Sequence, residues 1–156
     1  QLEGTILSVN LPNGLGGIYN SNGPNATVSG GRSNTANANA SSIGGGSENH
    51  AEGDHTSVAG GQSNVASGDH ATVGGGFNNT ASGKDSTVSG GGGGRYYDQG
   101  DNNVASGDWA TVGGGDFNTA SGDVAIDRGD TRIADRAVVE LRVGGVDRAA
   151  TPTAAD

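Results

Sequence analysis

The residues best suited to recognition chemistry lie in one stretch, Gly92-Gly93-Gly94-Arg95-Tyr96-Tyr97-Asp98-Gln99-Gly100-Asp101, with Trp109 close behind. The stretch holds two of the chain's six aromatic residues. Tyr, Trp and Arg are the usual anchors of binding surfaces, and an aromatic face also stacks on a sugar ring. Arg95, Tyr96, Tyr97, Asp98 and Trp109 are therefore the candidate ligand-binding residues. A loop that clasps a neighbouring subunit has the same composition and is the competing reading. His55 and His70 each follow an Asp, at a spacing of fifteen. The pair could attract a metal ion, but the same register continues as Asp85, Trp109 and Val124, so they read as exposed turn residues and no metal ligand is assigned. Arg128-Gly129-Asp130 spells a tripeptide read by animal integrins, yet in an Arg- and Asp-rich tail it reads as solvated charge. Asn25, Asn39 and Asn78 open N-x-Ser/Thr sequons and are possible glycosylation sites. No Ser-His-Asp set, no carboxylate pair in an apolar context and no phosphate loop stands out, which predicts a non-enzyme without a cofactor. The Gly91–Gly94 run lacks the lysine a phosphate loop needs, and no calcium nonapeptide occurs.

Composition narrows what can hold these residues in place. Gly supplies 32 of 156 residues, about three times the usual ~7%. Leu, Ile, Val and Phe together make up only 25 residues, below the ~20% mark under which chains stay disordered. A conventional large hydrophobic core is excluded. So is a membrane span, since no run of ~18 apolar residues exists. With 17 acids against 8 bases, a nucleic-acid partner is not expected. Cysteine is absent, which removes disulfides, thiolate metal sites and a cysteine nucleophile. The chain opens at Gln1 without a signal-like apolar stretch, as a processed chain or a fragment would.

Order comes instead from repetition, with a period of fifteen. Coils begin at Ala26, Ser41, Thr56, Ala71, Ser86 and Ala110. Position three reads Val28, Ile43, Val58, Val73, Val88 and Val112. Positions five and six are Gly-Gly in every coil. Position nine is Asn34, Asn49, Asn64, Asn79, Asn103 and Asn118, and position eleven is always Ala. Position thirteen is Gly in all but the first coil, where Ala38 stands. The spacing is broken once, by nine extra residues between Gly91 and Asn103. After Val124 the pattern decays and arginines become regular.

Each coil holds two runs with strand character, positions one to four and nine to twelve, separated by glycines suited to turns of positive φ. Such glycine density excludes helices. Alternation points positions one, three, nine and eleven inward. Equivalent strands of successive coils would then pair ~4.8 Å apart, giving a parallel β-solenoid of two short strands per turn. The Asn column is assigned to structure, as an amide ladder or as left-handed turn residues. One Val and one Ala per coil make a thin interior, and ordering fifteen residues carries a large entropy cost. A lone roll should be marginal, which predicts a homo-oligomer with rolls side by side.

These columns resemble the head repeats of trimeric autotransporter adhesins, the YadA-like or Hep/Hag repeat family. The stretches that carry the resemblance are Asn64-Val65-Ala66-Ser67-Gly68-Asp69-His70-Ala71-Thr72-Val73-Gly74-Gly75-Gly76 and Asn103 to Gly115, and the likeness spans residues 26–124. Similar repeats look at home in viral tail fibres. The resemblance implies an all-β fold, a left-handed parallel β-roll and a side-by-side homotrimer displayed outside the cell to bind matrix or host surfaces. The period here is one residue longer than in that family, and no heptad stalk follows.

The resulting expectations are an N-terminal strand or cap over 1–25, a roll of six repeats over 26–124 with a loop inserted at 92–101, and a C-terminal strand or cap and tail over 125–156. Leu7, Val9 and Leu11, and again Val139, Leu141 and Val143, alternate as strands that would cover the open ends of the stack. The expected function is an extracellular adhesion or receptor-binding fibre module on a cell surface or virion. Its partners would be its own copies and a host receptor or glycan. A structural filament polymerised by terminal strand addition is the alternative. Ice binding by the position-two row Thr27, Ser42, Ser57, Thr72, Thr87 and Thr111 is a weaker one.

Overall fold

A computed structural model describes residues 19–21, 23–92 and 103–129. They form a parallel β-solenoid of about six turns with fifteen-residue spacing and no helix. One sheet contains β1 (Tyr19–Ser21), β3 (Asn34–Ala36), β5 (His50–Ala51), β7 (Val65–Ala66), β9 (Thr80–Ala81), β11 (Val104–Ala105) and β13 (Thr119–Ala120), stacked in that order. The other contains β2 (Thr27–Val28), β4 (Ser42–Ile43), β6 (Ser57–Val58), β8 (Thr72–Val73), β10 (Thr87–Val88), β12 (Thr111–Val112) and β14 (Ile126–Asp127). Every pairing is parallel, with like positions opposite one another, as in Val58↔Val73 and Ala66↔Ala81. Most strands are two residues long, shorter than the four-residue runs expected, because the corners take up the rest of each coil. The stack reaches past 26–124 by half a coil on each side, through β1 and β14. The alternating segments around Leu7–Leu11 and Val139–Val143 lie outside the described residues.

Hydrogen bonds between coils run through the corners as well as the strands. In the coil from Thr56, six N–H groups donate onward: Ser57, Ala59, Gln62, Val65 and Ser67 to Ala71, Val73, Gly76, Asn79 and Ala81 at 2.8–3.0 Å, and Gly68 to Ala81 at 3.4 Å. Two point back, from Ser63 to Ser47 at 3.0 Å and from His70 to Asp54 at 2.8 Å. Position seven adds a third parallel row of bridges, Arg32, Ser47, Gln62 and Phe77. The interior is as thin as its composition requires. Ile43, Val58, Val73, Val88 and Val112 are buried beside the alanines of position eleven, and Val28 at the first full rung is half-buried. At position one, Ser41 and Thr56 hydroxyls donate to the Ala38 and Gly53 carbonyls, whereas the buried Ser86 hydroxyl has no partner among the described residues.

The asparagines form a ladder, the first of the two roles considered for them. Asn34, Asn49, Asn64, Asn79 and Asn103 are fully buried. Each Oδ1 accepts from the backbone N–H and the Nδ2 of the next rung; for Asn49 and Asn64 these contacts are 3.0 and 3.1 Å. The Asn64 Nδ2 also donates to Gly60 O at 2.9 Å and Gly76 O at 3.0 Å. Its two hydrogens thus tie its own coil to both neighbours. The glycine at position six follows from this arrangement. At Gly61 φ is +88°, and a Cβ there would strike the Gly76 carbonyl while sitting 2.7 Å from the Asn64 amide.

Position thirteen has a different reason for its glycine. No left-handed φ occurs at Gly53, Gly68, Gly83 or Gly107. A Cβ on Gly68 would instead collide with the Gly83 carbonyl of the next coil. Beyond the glycines of positions five and six, the recurring left-handed corner residues are not glycines. They stand at position eight (Ser33, Glu48, Ser63, Asn78, Phe117) and position fifteen (Ala40, His55, His70, Asp85, Trp109, Val124), with φ of 52–61°. Each costs about 1 kcal/mol or more, offset at Ala40, Glu48, His55, Ser63, His70, Asn78, Asp85, Trp109 and Val124 by the N–H bond that each donates to the preceding coil.

Gly68→Ala should lower stability by about 3 kcal/mol, as overpacking against rigid backbone does. Gly60→Ala should change it by under about 1 kcal/mol, because the nearest atom to its Cβ is Gly45 O at 3.9 Å. Chemical denaturation followed by circular dichroism separates the two. By the same assay, Asn64→Ala should cost about 3 kcal/mol or more, since it leaves several buried partners unpaired, and Asn118→Ala, at a half-buried rung, distinctly less.

Candidate functional site: the corner that carries the inserted loop

The insertion leaves the roll at one corner, between position seven, Gly92, and position nine, Asn103. Its tip, Arg95, Tyr96, Tyr97 and Asp98, lies outside the described residues. Its root is regular. Gly92 N–H donates to Gly115 O at 2.9 Å, the same bond that Gln62 and Phe77 make in the coils before. Asn103 closes the mouth. Its Nδ2 reaches Gly90 O on one side of the loop at 3.1 Å, Asn79 Oδ1 of the coil before at 2.9 Å and Gly115 O of the coil after at 2.6 Å. The ladder therefore steps from Asn79 to Asn103 over 24 residues as it does elsewhere over 15.

Aromatic side chains flank this root in the adjoining coils. Phe77 at position seven of the preceding coil is half-buried. Phe117 at position eight of the following coil is 45% exposed with φ of 61°. Sequence reasoning passed over both, because positions seven and eight vary from coil to coil. The usable signal was their column: each falls one coil away from the insertion, at the same corner. Trp109, by contrast, is not brought to the loop root. It occupies position fifteen, at the opposite corner, 54% exposed.

That opposite corner carries half of the charged residues among those described. Asp54, Asp69, Lys84, Asp108 and Asp123 stack at position fourteen. Their carboxylates accept backbone N–H groups from the preceding coil, as in Asn39 to Asp54 at 3.1 Å and Lys84 to Asp108 at 3.0 Å. Lys84 interrupts the like-charge column. His55 and His70 stack with ring centroids 5.3 Å apart and planes at 17°. Rings so stacked keep equivalent nitrogens about a rung apart, too far for two bonds of ~2.0–2.1 Å to one ion. The His70 Nδ1 lies 3.5 Å from Asp85 Oδ1. Among the described residues no group of three or more His, Cys, Asp or Glu side chains is placed to hold a metal.

The remaining candidates are surface features. Asn25 is exposed and donates to Asn39 Oδ1 at 3.4 Å, so these two sequon side chains engage each other. Asn78 is a half-buried, left-handed corner residue beside Phe77. Arg128 is exposed and Gly129 N–H donates to Asp127 Oδ1 at 2.9 Å, while Asp130 lies outside the described residues. The hydroxyl row at position two is in register along its sheet, with Ser42 Oγ 3.3 Å from Ser57 Oγ.

Excising residues 93–101 should leave the roll intact. It restores a fifteen-residue coil with Gly92 at position seven and Asn102 at the left-handed position eight, which Asn tolerates well. We expect a thermal midpoint equal to or above that of the full chain, because a shorter loop closes at lower entropic cost. A drop of many degrees would show that the insertion has a folding duty.

No protein family model, no curated protein and no solved structure matches this chain, so the functional reading stands on the coil geometry and on the resemblance carried by its columns.

Proposed function

We propose that this chain is a non-enzymatic extracellular adhesion module. Three copies pack side by side as left-handed rolls, and the loop at 92–101 presents Arg95, Tyr96, Tyr97 and Asp98 to a host-surface receptor or glycan. The site of action is a cell surface or a virion. The observation that carries this reading is the unbroken ladder beneath the insertion: Asn103 takes its rung while the loop departs. Nine residues with no rung to fill, two of them Tyr and one Arg, are free to serve recognition.

Charge placement supports the side-by-side packing. Over residues 26–113 the outer positions of the β2–β12 sheet, two and four, are Thr, Ser, Gly and Ala. Those of the other sheet carry only His50 and Glu52 as ionisable groups. The Asp column sits at a corner, where copies meeting through their faces would leave it in water. A filament assembled end to end is the second reading, favoured by the last rungs β13 and β14, which have no further strand beside them among the described residues.

Sedimentation should give three times the chain mass, and a folded monomer would reject the trimer. Attachment to host cells or glycan arrays should be lost when residues 93–101 are excised from an otherwise intact trimer. Unchanged attachment would sink the loop as the binding site, and fibres in electron micrographs of the loop-deleted protein would favour the filament.

A further inference from the structure

All four exposed large apolar side chains among the described residues fall near the C-terminal end of the roll: Trp109 at 54%, Phe117 at 45%, Val124 at 44% and Ile126 at 44% exposure. Trp109 and Val124 are consecutive rungs of one corner column, where Val124 N–H donates to Asp108 O at 2.7 Å. Ile126 follows on β14, the last strand of its sheet. The rung itself is also less covered here. Asn118 is half-buried where the five asparagines before it are fully buried, and Thr119 is exposed. A bare solenoid end is a row of unpaired strand groups that needs a cover, and a clustered apolar patch marks where a cover sits.

The described residues stop at this same end, at Gly129, and 27 residues follow in the sequence. Among them Val139, Leu141 and Val143 alternate with Glu140 and Arg142. The other such segment, Leu7 to Leu11, precedes β1 at the far end of the stack. We propose that residues 137–143 of this chain dock on the patch of Trp109, Val124 and Ile126 and close the C-terminal end of the roll. The seven residues from 130 to 136 can span up to about 23 Å, and the patch covers about two rungs of ~4.8 Å. The tether holds the segment at millimolar effective concentration, above that of a second copy in ordinary solution. Docking there would bring Arg136 and Arg142 towards a corner lined by Asp108 and Asp123, a favourable pairing of charge.

Trp109 is the sole tryptophan and there is no cysteine, so the full chain reports on this contact directly. In the wild-type chain, acrylamide should quench Trp109 weakly and equally at all protein concentrations. In a Val139→Ser/Leu141→Ser variant with an unchanged circular dichroism spectrum, quenching should rise about two- to fourfold, towards that of a surface indole. A nitroxide on Leu141→Cys should quench Trp109 emission at every dilution, which keeps the test decisive if the double variant misfolds. Equal quenching in both chains, no effect of the nitroxide, or protection that disappears on dilution with the roll intact would overturn the proposal; the last outcome would assign the patch to a second copy.

Discussion

A primary amide pressed against a glycine pair, once per rung, is the contact on which the rest of this structure depends. Each Asn side chain bonds forward, backward and within its own coil, all in a buried setting where an unmade bond is costly. For the amide to reach the carbonyls at positions five and six, the backbone at position six must come closer than a Cβ allows, with a left-handed φ, whereas position five leaves room for a Cβ. The Asn column and the glycines of position six are thus one device. It sets the rung spacing, and the short strands fall into register around it.

This device replaces much of what a hydrophobic core does elsewhere. One Val or Ile and one or two Ala per coil remove little apolar surface from water. Coherence comes from backbone bonds that run through strands and corners alike, and from buried polar columns that are satisfied along their length except at Ser86. A stack so constructed is cooperative between neighbours and weak at its ends, as nearest-neighbour solenoids are. The thin interior, the sparsely charged faces and the apolar C-terminal end together underlie our proposal that the roll is completed by sister chains beside it and by its own chain at the tip.

The corners are where the roll tolerates variety. Residues at positions seven, eight, fourteen and fifteen range from Glu to Phe and from Pro to Trp, because their side chains project outward while their backbone groups bond the neighbouring coils. A nine-residue insertion is admitted on the same terms. Asn103, where the chain returns, bonds Gly90 on the side where it leaves and Gly115 in the next coil, so the chain can leave and return within one rung. Binding chemistry placed at such a corner can change without altering the stack, which suits a recognition module.

The repeat alone determined the class of fold, the two strands per coil, the inward set of Val, Ala and Asn, and the site of the loop. These follow from identity at fixed columns, since a residue kept every fifteen positions meets its own copy. What the columns did not disclose is why some were constant and others free. The glycine at thirteen looked like a turn residue and is a close-approach residue. The left-handed corners without glycine were hidden, because eight and fifteen accept almost any side chain; only an excess of Asn, Asp and His there hinted at it. The acidic surface was legible as composition, whereas its order as a column of N–H acceptors was not. Trp109 looked like part of the loop site from its nearness in sequence, yet fifteen residues make one turn, and six positions within a turn carry a side chain from one corner to the other. Sequence distance in a solenoid measures angle around the axis as much as distance along it, and only the folded coil decides which residues share a side.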